Sequence, residues 1–178
     1  MPADFSLSPL IAATAQWLTR AYPPGGGALD RALAETQARQ AVTVAAWLRY
    51  PTAMDAALVA VAGPGGSARL DRVTGADSAE SRGEERQAWC TWVDEVVASW
   101  AASLLSTPGL AAAAMEALAG SVHMGGAPVE FRRLVDPDEH DRRAAALLRH
   151  PDLLAPIADL HREQLLDRLA TGPASLTG

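Results

Sequence analysis

The sequence predicts an all-α fold, an irregular or orthogonal bundle of six or seven helices joined at proline-punctuated corners. Three observations carry that prediction. Apolar residues recur at three- and four-residue spacings through most of the chain, the period of a helix with one buried face. Clusters of Pro and Gly interrupt these runs at intervals suited to helix ends. Of 178 residues, 38 are Ala, the strongest helix former and the one that lets helix axes approach closely. The length fits a single helical domain over 1–178, large enough to fold without disulfide or metal.

The elements follow in order. Ser8 as N-cap and Pro9 as the first helical residue open a helix on which Leu10, Ile11, Thr14, Trp17, Leu18 and Ala21 share a face; Pro23 to Gly27 ends it. Ala28 to Arg49 is a long second helix. Its Ala34, Ala38, Ala41 and Ala45 form a small-residue seam, while Thr36, Gln37 and Gln40 interrupt the apolar stripe. Pro51 breaks the chain, and Thr52 to Ala62 makes a shorter apolar helix. Residues 63–83, rich in Gly, Ser, Asp and Glu, read as a long mobile loop. A helix from Glu84 to Ser106 carries a broad apolar face from Trp89 to Leu105 and is the expected core helix; Cys90 falls in its apolar run and reads as a small buried hydrophobe.

Leu110 to Ala119 forms a short Ala-rich helix, followed by a Gly-containing loop over Ser121 to Pro128. Val129 to Val135 alternates partially, so a minor two-stranded ribbon with Arg69 to Val73 is a further possibility. Asp136, Pro137 and Glu139 spell a capping box that starts a helix running to Arg149. Pro151 and Pro156 each restart the chain, the last helix spans Pro156 to Ala170, and 171–178 is a disordered tail. One corner recurs: Ala45 to Pro51, Ala102 to Pro108 and Ala145 to Pro151 each read as helix end, two residues, proline, new helix.

Composition excludes several chemistries. All 15 basic residues are Arg, so a Schiff-base lysine and a GxxxxGK[ST] phosphate loop are ruled out. Asn is absent as well, which removes a Cys/His/Asn triad. A single cysteine permits neither an intrachain disulfide nor a zinc ribbon. The net charge of −6 opposes a nucleic-acid surface, and no apolar run is long enough to span a membrane. The first residues lack the basic region of a secretory signal, so the expected location is cytoplasmic.

Among the four histidines no HExxH, ExxH or Cys/His finger spacing occurs, and no metal or other cofactor is expected. The absence of a catalytic signature, with a broad apolar helix face and an Ala seam, makes the expected function association. The chain would then be a homo-oligomer, an adaptor or a subunit of an assembly, without enzymatic activity. The alternative is a small-molecule binder or an enzyme of specialised metabolism. Its pocket would be lined by Trp89, Trp92, Trp100, Gln37 and Gln40, with His123 or His161 as acid/base. In that reading Arg132 and Arg133, after the Gly-rich loop, would hold an anion.

Overall fold

The computed structural model describes residues 6–75, 88–125 and 131–171, and these are helical with no strand. The first three helices are α1 (Ser8–Ala21), α2 (Ala28–Arg49) and α3 (Ala53–Ala62). Then come α4 (Ala68–Thr74), α5 (Glu95–Ser106), α6 (Leu110–Leu118) and a 3-10 turn at Val122–Gly125. The C-terminal third is built of short pieces: α7 (Arg132–Val135), α8 (Glu139–Ala144), α9 (Ala146–Arg149), α10 (Pro151–Ala158) and α11 (Arg162–Thr171).

The centre of the molecule is the pair α2 and α5. Helix α1 lies on α2, α10 lies on α5, and α6 to α8 close over the remaining side of α2. The small-residue seam explains the arrangement. Ala38, Ala41 and Ala45 of α2 and Ala98, Ala101 and Ala102 of α5 are all fully buried, so two backbones approach where larger side chains would hold them apart. Leu10, Leu18, Leu48, Leu104, Leu154 and Ile157 fill the space between that pair and the outer helices.

The recurring corner forms three times. Tyr50, Thr107 and His150 terminate α2, α5 and α9 with ψ of 72°, 107° and 112°, outside the helical region. The cause is local: the ring of the following proline clashes with a helical predecessor and pushes it toward extended backbone. After Pro108 the chain turns through Gly109 at φ 90°, a conformation that favours glycine, into α6.

Several expectations need correction. Of the predicted loop over 63–83, residues 76–83 lie outside the described residues, and the part up to 75 contains α4, capped at its C-terminus by left-handed Gly75; Leu70 is fully buried and Asp71 accepts the Trp17 indole N–H at 2.8 Å, so tertiary contacts order this part although its composition reads as loop. Because Arg69 to Val73 and Arg132 to Val135 are helical, the two-stranded ribbon does not form. Helix α5 begins at Glu95 rather than in a continuous run from Glu84; residues 88–90 are helical, and Asp94 then caps α5 by accepting the Val97 N–H at 2.9 Å. The part of that prediction before residue 88 lies outside the described residues, as does the predicted tail beyond 171. The first helix starts at Ser8 itself, with Leu7 preceding it.

The capping box also sits two residues later than the sequence suggests. Asp138 accepts the Asp141 N–H at 2.8 Å, and Asp141 accepts the Asp138 N–H at 3.2 Å. The helix it opens then breaks at Ala145 instead of running on to Arg149. Pro156 lies inside α10, leaving Arg162 as the start of the last helix. Cys90 is half-buried rather than buried.

Candidate functional site

Helices α1 and α2 leave a half-open groove between them with a volume of about 690 Å³. Its first wall is Ala12, Ala15, Gln16 and Thr19, which recur at three- and four-residue steps on one side of α1. The second is Ala32, Glu35, Thr36, Arg39, Gln40 and Thr43, a single polar stripe along α2, and Phe131 closes one end. Alanine at 12, 15 and 32 leaves the floor open. The three threonines direct their hydroxyl protons back into the helices, Thr19 to the Ala15 carbonyl, Thr36 to Ala32 and Thr43 to Arg39, at 3.2, 2.8 and 2.7 Å. Their oxygens therefore remain acceptors for anything in the groove. Glu35 and Arg39 stand one turn apart and exposed, and among the described residues neither has an ion-pair partner.

One turn along α2, Gln37 faces inward, fully buried. Its amide N–H donates to the Asp141 carbonyl at 2.7 Å and its oxygen accepts the Arg149 Nε–H at 2.9 Å. The rest of the Arg149 guanidinium donates to the carbonyls of Leu105 and Leu134, both at 3.4 Å, and to that of Arg133. Burial brings this guanidinium down to about 10, helped by Arg142 and opposed by the charge of Asp141. Burial alone would raise the Asp141 carboxyl. The hydrogen bond from Arg133, the Asp138 N–H and both arginine charges outweigh it and hold the carboxyl below its usual range. Arg132 donates to Asp141 at 3.0 Å and Arg133 donates to its other oxygen. The two arginines expected to hold an external anion are thus turned onto an internal carboxylate.

The two histidines expected as acid/base, His123 and His161, are also engaged. His161 Nε2 lies 2.7 Å from Glu95 Oε1, whose carboxylate also pairs with Arg69 at 3.3 Å. The backbone around His161 is clamped by α5: Ser99 and Ser103 donate to the Ala158 carbonyl, Trp100 donates its indole N–H to the His161 carbonyl at 3.0 Å, and Ser99 Oγ accepts the His161 N–H. His123 stacks on Trp47 at a centroid distance of 5.6 Å and hydrogen-bonds the Tyr50 carbonyl at 2.8 Å. Beside it, the Tyr50 hydroxyl donates to Asp94 at 2.5 Å; burial first, then that bond and the Asp94 charge, hold the phenol well above its ordinary range.

The residues singled out in the sequence therefore separate. Trp100 is buried in the core, Trp92 packs half-buried against it, and Trp89 lies under the Arg20 guanidinium at 5.0 Å. Gln40 alone of them reaches the groove, where its oxygen also accepts the Leu134 N–H at 3.0 Å. Glu35, Thr36 and Arg39 are not among the site residues expected from the sequence, although their signal is present: polar residues at 35, 36, 39, 40 and 43 repeat at helical spacing, a stripe in its own right rather than an interruption of the apolar one.

A second surface stands out at α3. Thr52 and Asp55 form its capping box, and only Ala56 and Val59 of the helix are buried. The opposite side presents Met54, Leu58 and Val61, exposed at 70%, 60% and 83%. Among the described residues no three His, Cys, Asp or Glu side chains converge as metal ligands, and no helix is long and apolar enough to cross a membrane. No protein-family model, curated protein or solved structure matches the chain.

Proposed function

We propose that the chain acts by association in the cytoplasm, and that the surface it offers is α3, docked against α3 of a second copy. The carrying observation is the exposed stripe of Met54, Leu58 and Val61 on a helix whose one charged residue, Asp55, is engaged in its own cap. Single exposed apolar residues are ordinary, but three in register on one short helix make a patch. A second copy fits better than an unrelated partner on electrostatic grounds. Each chain carries −6, yet the stripe bears no charge, so two copies can meet there with their like charges held apart. An antiparallel pairing about a two-fold axis would bring Leu58 of each copy close to the axis, with Ala57 beside it giving room for the larger side chains.

The expected strength is modest. Burying each of the six side chains, three from each copy, contributes about 1–2 kcal/mol, against an association cost of several kcal/mol, which points to weak dimers with a Kd of about 0.1–1 mM. Light scattering across a concentration series, with native mass spectrometry, tests this. The wild type should pass from monomer to dimer, whereas Leu58→Glu should remain a monomer with an unchanged Tm, because Leu58 is 60% exposed and little of the fold leans on it. A wild-type chain still monomeric at about 1 mM would overturn the reading.

A further inference from the structure

We propose that the groove between α1 and α2 is a binding site for a small zwitterion of the dipeptide class, independent of the α3 surface. The groove is large enough for such a molecule: about 690 Å³ lies within the range of small-ligand sites. Its charges identify the class. Glu35 and Arg39 project into it from the same face of α2, one negative and one positive, with no ion-pair partner among the described residues. A glutamate four residues before an arginine is the favourable order for an internal pair, so two such groups left apart are both available to a ligand.

The spacing of their backbones along α2 favours a dipeptide over a free amino acid. Four residues of helix rise about 6 Å. An extended dipeptide places its ammonium and carboxylate about 6–7 Å apart, at 3.3–3.6 Å per residue, whereas in a single amino acid both are bonded to the same α-carbon and stand much closer together. The carboxylate would meet the flat Arg39 fork, and the ammonium would meet Glu35. The Thr36 and Thr19 oxygens, left as acceptors by their back-bonding to the helix, add partners for the ammonium. Gln16 from the facing wall can donate to or accept from the peptide unit. Ala12, Ala15 and Phe131 give the ligand side chains an apolar bed without selecting strongly among them.

Titration calorimetry and saturation-transfer NMR with Ala-Leu, its N-acetyl form, its C-terminal amide and free leucine test the proposal on the full chain. Ala-Leu should bind with a sub-millimolar Kd, and blocking either end should weaken it by about tenfold or more. Arg39→Gln should make acid and amide bind equally, while Glu35→Gln should do the same for the free and acetylated amines. Both side chains are exposed, so circular dichroism and Tm should match the wild type. No binding of Ala-Leu at about 5 mM, equal binding of the blocked forms to the wild type, or free leucine binding as tightly as Ala-Leu would each overturn it.

Discussion

Asp141 shows how far one residue can differ from its appearance in the sequence. In the chain it is one of a run of acidic and basic residues that reads as a solvated face; in the fold it is completely buried and ties α8 to the start of α7 through Arg132 and Arg133. Its backbone carbonyl meanwhile receives Gln37 from α2. Because its carboxyl is held below the ordinary range, the unfolded chain takes up this proton first as the pH falls. The stability it contributes is therefore complete above the ordinary carboxylate pKa of about 3.9 and lost as the pH drops through the lower, folded value. Asp141→Asn should cost about 2 kcal/mol at pH 7 in denaturant unfolding, and its Tm should fall less steeply than that of the wild type between about pH 5 and 2. Equal acid slopes for the two proteins would show that the arginines do not govern this carboxyl. The burial of Asp141 was not legible, since its arginine partners lie eight and nine residues back across a turn and its anchor, Gln37, lies 104 residues away.

At the scale of the element, what the sequence showed most clearly was where helices stop. The three proline corners formed, with one residue rather than the expected two between helix end and proline, because the restriction on a residue before proline is local and needs no tertiary partner. Where helices start was less legible. Asp136 and Asp138 both satisfy the pattern of a cap, and the choice fell to the one whose third residue, Asp141, also reaches the arginines. Helix α4 was missed for a related reason: its seven residues are stabilised by burying Leu70 and by the Trp17 indole on Asp71, neither of which is visible in local composition. The Ala seam, by contrast, was legible, and it makes a prediction about α5. Ala101→Leu should destabilise by about 1–3 kcal/mol, because the side chain has no space between α2 and α5. Ala112→Leu on the exposed side of α6 should leave urea unfolding within about 0.5 kcal/mol of the wild type.

Across the whole molecule, contacts converge on α2 and α5, so the outer helices have little to hold them once that pair separates. Unfolding should accordingly be a single transition. Tryptophan fluorescence, which samples α1, α2 and α5 through Trp17, Trp47 and Trp100, should superimpose on far-UV circular dichroism across a urea titration. Two separated transitions would mean that the C-terminal short helices form a unit of their own. The fold class, the positions of the corners and the alanine packing were determined by the sequence alone, since each rests on local stereochemistry or on a helical period. The tertiary structure decided which polar residues face inward. Gln37 and Gln40 sit three apart on one helix, yet the first became the anchor of a half-buried arginine and the second a wall of a groove. That difference depends on α7, α8 and α9 arriving from the far end of the chain. A helical period assigns a residue to a face; only the neighbour that covers the face determines which groups of the fold its polar atoms bond to.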